Sequence, residues 1–181
     1  MARVPYLTID DLPEKHHDLL DRDINLAKAM VNSPSGYRAF GRQGGWIRFR
    51  SKFDPRLREM AILQVGWVAR VAYEWSHHVK LGREFGVSDD DIRAIDDDGT
   101  AAAGHPELDQ LVLRAAREMT NGVAMTDQTW NALSEHFDDE LMTELTMIIA
   151  YYNAIVRVLE TIQIDVEPDY QPYLDEFPLP A

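Results

Sequence analysis

The chain has 181 residues and not one cysteine. Disulfides, thiolate nucleophiles and cysteine-ligated zinc are therefore excluded. Basic residues are scarce: 18 Lys and Arg face 31 Asp and Glu, a formal net charge of -13. A surface of that sign repels phosphate backbones and anionic headgroups, so neither nucleic acid nor a membrane surface is an expected partner. A small anionic substrate stays compatible, because a pocket can carry a local field unlike the global one. No run of about 18 uninterrupted apolar residues occurs, and no membrane span is expected. The first ten residues lack the apolar stretch of a signal peptide, which makes the cytoplasm the expected compartment. No GxGxxG, GxxxxGK[ST], GxSxG or HExxH motif is present, so nucleotide, nucleophile-elbow and zincin chemistry have no local signal.

What is present is helical. Apolar residues make up 45% of the chain and charged residues 27%, the balance of one folded domain. No apolar alternation of period two suggests a sheet. The expected organisation is an irregular arm over residues 1–8, a helical core over 9–166 and an extended proline-rich tail over 167–181, all in one domain. Asp10 or Asp11 can cap a first helix that carries Leu19, Leu20, Ile24, Ala27 and Met30. A second helix is expected over 37–50, weakened by Gly41, Gly44 and Gly45. Asp54 followed by Pro55 is a strong helix start. From 56 to 85 no proline interrupts a broad apolar pattern, which implies burial on several sides. Gly86 fits a C-terminal cap, and Ser88 with Asp91 a capping box. Helices should then begin near Pro106, Thr126 and Asp138 or Asp139. The tail's Pro168, Pro172, Pro178 and Pro180 argue against continuous helix.

The densest polar cluster in apolar surroundings is YEWSHH, residues 73–78. Glu74 and His78 stand four apart, on one helix face. A carboxylate beside an imidazole is a usual acid/base unit, though the same spacing also describes an ordinary exposed pair worth about 0.3 kcal/mol. Val71, Ala72, Trp75 and Val79 around them favour burial and hence a role. Glu59 is a second candidate, and its neighbour Arg58 does not share its face. His77 points about 100° away from His78, so the two cannot easily chelate one ion, and no metal is expected.

The stretch LREMAILQVGWVARVAYEWSHHVKLGREFGVSDDDIRAI resembles the core signature of the carboxymuconolactone decarboxylase / alkylhydroperoxidase D-like family, and the likeness extends over roughly residues 20–170. In the thiol-peroxidase branch that signature is a glutamate, a CxxC beginning twelve residues later, and a histidine four past the second cysteine. Glu59 and His78 match the glutamate and histidine, while Val71 and Glu74 stand where the cysteines would be. A thiolate–sulfenate–disulfide cycle cannot run on this chain. The resemblance therefore implies the decarboxylase side: an all-α bundle, cofactor-independent, oligomeric as trimer or hexamer. In one straight helix Glu59 and Glu74 would lie about 22 Å apart. The resemblance implies a break, expected near residues 69–71, although GWVARVAY contains neither proline nor Asn-Gly.

The main expectation is thus an acid/base enzyme acting on a small organic acid or lactone, by decarboxylation or proton transfer. His78 would shuttle the proton, Glu74 would be partner or base, and Glu59 would support them. Tyr73, Trp75, His77 and Val71 would shape the pocket. On this reading His78→Ala removes activity with little loss of fold. The rival is a non-enzymatic helical oligomer or ligand-binding protein that keeps the motif as a buried polar network.

Overall fold

The computed structural model describes residues 2–180. Nine α-helices follow one another with no strand among the described residues: α1 Asn25–Met30, α2 Pro34–Phe49, α3 Pro55–Ala69, α4 Ala72–Glu84, α5 Asp89–Arg93, α6 Glu107–Asn121, α7 Asp127–Leu133, α8 Asp139–Ile162 and α9 Gln171–Glu176. Three short 3-10 segments, Ile9–Asp11, Glu14–Leu20 and Pro168–Tyr170, complete the regular structure. The all-α class is as expected. At the N-terminus the single capped helix is replaced by two 3-10 segments and the short α1.

The core is built on α3. Every residue from 57 to 66 is buried, and α4, α6 and α8 all pack on this helix. Its start is the expected cap: Asp54 accepts the Leu57 N–H at 2.9 Å, with Pro55 in the first turn. Ser88 with Asp91, Thr126 and Asp138 likewise cap α5, α7 and α8. Helix α8 is long and apolar enough to cross a membrane by length and composition alone, but half of its most apolar window is buried within the protein.

The break between α3 and α4 falls at Arg70, which adopts the left-handed conformation at φ 57 and ψ 36. The Val71 N–H reaches back to Gly66 O at 3.1 Å and the Arg70 N–H to Trp67 O at 3.0 Å. That pair of bonds is a Schellman closure, usually made with glycine and made here by arginine. Gly66 permits the reversal: a Cβ there would stand 3.3 Å from the Trp75 backbone nitrogen. The two helices therefore approach closely where α4 begins.

The tail departs from the expected extended form. Residues 168–170 form a 3-10 turn and Gln171–Glu176 an α-helix, with Pro168 and Pro172 in first turns, where proline loses no hydrogen bond. The tail is fastened to α4. Trp75 Nε1 donates to Phe177 O at 2.7 Å, and Arg83 bridges Glu176 at 2.7 Å and Asp89 at 2.8 Å. The N-terminal arm lies beside the exit of α8, with Arg3 N–H donating to Ile162 O at 2.7 Å.

Candidate active site

Folding α4 back on α3 brings Glu59 and His78 together, nineteen positions apart in sequence. His78 Nδ1 lies 2.6 Å from Glu59 Oε2, and His78 Nε2 lies 3.0 Å from Glu74 Oε1. The first contact is an aligned hydrogen bond. The second is a charge contact off the ring's N–H direction, so Glu74 Oε1 is buried without a hydrogen-bond donor. Exposures of 1% for Glu59, 3% for Glu74 and 7% for His78 put all three out of bulk water.

Arg58, which the helix spacing assigns to another face, reaches round to Glu59. Its Nε–H donates to Glu59 Oε1 at 3.0 Å, its Nη1–H to Ile47 O at 3.4 Å, and its guanidinium lies over the Phe85 ring at 4.6 Å. The buried group is therefore two cations alternating with two anions, Arg58–Glu59–His78–Glu74. Formal charges cancel, which is how four ionisable groups are kept in a dry interior. Tyr152 on α8 meets the His78 ring edge-on at 5.0 Å, and no described residue hydrogen-bonds its hydroxyl.

The electrostatics follow from that order. Burial pushes the His78 imidazole toward neutrality, but the Glu74 and Glu59 charges on either side overcome it and hold its pKa up at about 9. Burial also opposes ionisation of Glu59, yet His78 and Arg58 keep its carboxyl below the usual range. Burial, then Glu74 and Glu59, push the Tyr152 hydroxyl far above its ordinary value. At neutral pH His78 is an imidazolium able to donate, beside a carboxylate able to accept.

These groups line a cavity of about 540 Å³, bordered also by α2, the middle of α8 and Tyr170 of the tail. Tyr73 and His77 line it. Trp75 and Val71 do not: Trp75 is fully buried and spends its N–H on the tail, and Val71 packs in the core as the residue before α4. The Tyr73 hydroxyl and His77 Nε2 are both held by Glu167, at 2.9 and 2.8 Å, and the His77 ring is stacked between Tyr73 and Tyr170. Arg58, Tyr152 and Glu167 went unforeseen. Their roles arise from contacts between helices, and only the i,i+1 position of Arg58 beside Glu59 hinted at one of them.

A three-ligand cluster elsewhere, Asp91–His105–Asp109, has spacing suited to a cation. The Arg56 guanidinium already fills it, at 2.5 Å from Asp91 and 2.7 Å from Asp109.

The all-α arrangement matches the alkylhydroperoxidase D-like helical fold. Residues 34–118 match the Carboxymuconolactone decarboxylase family model. An uncharacterized peroxidase-related protein from Ralstonia eutropha, with an alkylhydroperoxidase AhpD core, is similar over 96% of this chain and 95% of its own at 18% identity, TM-score 0.81. The debrominase Bmp8, solved as a cysteine-to-alanine variant with 2,3,4-tribromopyrrole, is similar over 97% of each chain at 18% identity, TM-score 0.80. A protein of unknown function from Agrobacterium tumefaciens aligns over 75% of this chain and 93% of its own at 20% identity, TM-score 0.67. No curated protein matches.

Proposed function

We propose that the protein is a small-molecule enzyme performing cofactor-independent proton transfer or decarboxylation on a small organic acid or lactone, with Glu59, Glu74 and His78 as its acid/base group. One observation carries this reading: a buried imidazolium, clamped between two carboxylates, forms part of the wall of a cavity large enough for such a molecule. In decarboxylation the C–C electron pair of the carboxylate passes into the unsaturated ring, CO₂ leaves, and the Nε2 proton of His78 is delivered to the developing carbanion. In isomerising proton transfer the Glu74 carboxylate, which borders the cavity, accepts the proton first. Glu59 with Arg58 fixes the His78 ring and acts as a positioning pair. Arg48, whose Nε is buried without a hydrogen-bond partner, and Lys80 also border the cavity and supply cations for the substrate's anionic group. Thiol peroxidase chemistry is closed to a chain without cysteine.

The debrominase among the structural neighbours, with its small ring ligand, supports a small-molecule substrate. Exposed Phe49 at the cavity and exposed Met147 on α8 support self-association into the expected trimer or hexamer. Residence in the cytoplasm belongs to the same proposal. The rival, a structural polar network, is favoured by the near-complete burial of the group, and the cavity weighs against it.

The test is solvent-proton exchange. Unsaturated lactone acids and small β,γ-unsaturated acids are incubated with the protein in D₂O, and carbon-bound deuterium and released CO₂ are followed. Exchange that falls at least a hundredfold in His78→Gln and in Glu74→Gln is expected. Exchange that survives both substitutions, or none with any of these acids, would count against the reading.

A further inference from the structure

Three buried tyrosines line the cavity, and two of them have partners for their hydroxyls. The Tyr151 O–H donates to Phe40 O at 3.1 Å, and the Tyr73 O–H to Glu167 at 2.9 Å. Tyr152 is different. It is 9% exposed, no described residue hydrogen-bonds its hydroxyl, and that hydroxyl is not sealed away from the cavity. An interior hydroxyl without a partner is unfavourable, and phenylalanine at this position would avoid the cost. Burial, Glu74 and Glu59 keep it protonated well beyond neutral pH, so it serves as a donor and not as an acid. The other free donor of this wall is His78 Nε2–H, since Nδ1–H is taken by Glu59 and the Glu74 contact is off the N–H direction. The two rings meet edge-on at 5.0 Å, which puts both donors within the span of one small molecule.

Charge decides which ligand oxygen suits the hydroxyl. Glu59 and Glu74 both act on it, so a full carboxylate is repelled there. Arg48 of α2 and Lys80 of α4 suit a carboxylate better. A carbonyl oxygen is neutral on entry and gains charge only as electrons reach it.

Resting on the acid/base reading above, we propose that Tyr152 is a further catalytic residue, donating its O–H to a substrate carbonyl oxygen while His78 protonates carbon. In decarboxylation the C–C pair passes through a ring C=C onto that oxygen, and CO₂ leaves. The Tyr152 O–H holds the resulting enolate oxygen. The His78 Nε2 proton then goes to carbon and the C=O re-forms. Tyr152 keeps its proton throughout, and His78 regains one from water. The substrate class narrows accordingly, to acids whose departing carboxylate is linked through a C=C to a carbonyl.

The test is binding, independent of turnover. Tetronate, the stable enolate of a five-membered lactone, and crotonate, a plain carboxylate of similar size, are titrated calorimetrically into the full chain and Tyr152→Phe. Tetronate affinity is expected to fall at least tenfold in Tyr152→Phe, the loss of one hydrogen bond to a charged oxygen. Crotonate should respond equally to both proteins, and the melting temperature should hold or rise. Unchanged tetronate binding, or none to the wild type, would overturn the inference. So would a lower melting temperature, which would make the hydroxyl structural. An equal loss for crotonate would also overturn it, by assigning the hydroxyl to the carboxylate. Tyr152-dependent tetronate binding without deuterium exchange would retain the oxygen site and remove the acid/base reading. Exchange with tetronate binding indifferent to Tyr152 would do the reverse.

Discussion

His77 and His78 are neighbours on α4, each beside a glutamate, and they have opposite electrostatics. His78 lies between two buried carboxylates and is held up at about 9. His77 meets only Glu167, and burial among Tyr73 and Tyr170 prevails and lowers its pKa. Glu167, although partly buried, is held down to about 2 by His77 and the Asn25 N–H. The comparison teaches that one carboxylate does not offset the desolvation of an imidazolium and two do. It also divides α4 by face. The His78 side carries a buried imidazolium between two carboxylates, and the His77 side is a neutral clasp that fastens the tail and makes part of the cavity wall.

The largest expected difference is in stability. His78→Ala leaves Glu59 and Glu74 buried without the cation between them and should cost about 3–5 kcal/mol. His77→Ala removes a neutral hydrogen bond and ring stacking, and should cost about 1–3 kcal/mol. Chemical denaturation of both variants checks this, and equal losses would break the comparison. A loss of that size is now the expected outcome for His78→Ala, in place of the little-changed fold expected from the sequence, because the charges on both sides of His78 are buried. The substitution removes charge balance as well as a proton carrier, so its melting temperature does not separate catalyst from scaffold, and solvent exchange has to.

The second difference is in pH dependence. His78 has a raised folded pKa, so its contribution is complete below the ordinary value of 6.5 and is lost as pH rises through about 9. Glu59, lowered from 4.5, contributes above that value and loses its contribution as pH falls through its depressed pKa. Unfolding free energy should therefore fall between pH 6.5 and 9 in the wild type, and that slope should flatten in His78→Gln. A slope that persists in the variant would assign the titration to another group.

A smaller effect sharpens the role of the flanking carboxylates. Glu59→Gln removes the closest one, and the His78 imidazole resonance should then titrate below about 9, while His77 stays where it was. The smallest expected effect is on the clasp. Trp75→Phe deletes the N–H that holds the Phe177 carbonyl and should cost about 1 kcal/mol, with faster amide exchange confined to residues 168–177.

What was legible in the sequence was local. The Asp54 cap, the Ser88–Asp91 box and the Thr126 cap depend on residues within one turn, and Glu74 with His78 is a spacing on one helix. The Arg58–Glu59 contact was missed because a long guanidinium stem can cross the roughly 100° between neighbouring side chains. Tyr152 enters from α8 and leaves no trace near YEWSHH. Counting four prolines argued for an extended tail, whereas two of them occupy first turns and are compatible with helix. The left-handed Arg70 gave no local sign, because its closure is completed by the packing of α4 on Gly66.

That left-handed residue has a kinetic consequence. Because the chain turns back at Arg70, Arg58, Glu59, Glu74 and His78 all belong to one helical hairpin, and the Glu59–His78 contact spans nineteen residues. Short-range contacts close fast, since little chain entropy is lost in forming the loop. The hairpin can bring its four charges together before α8 docks to shield them. In that order the charges would already be in balance when water leaves, sparing the folding chain an unpaired ion in its interior.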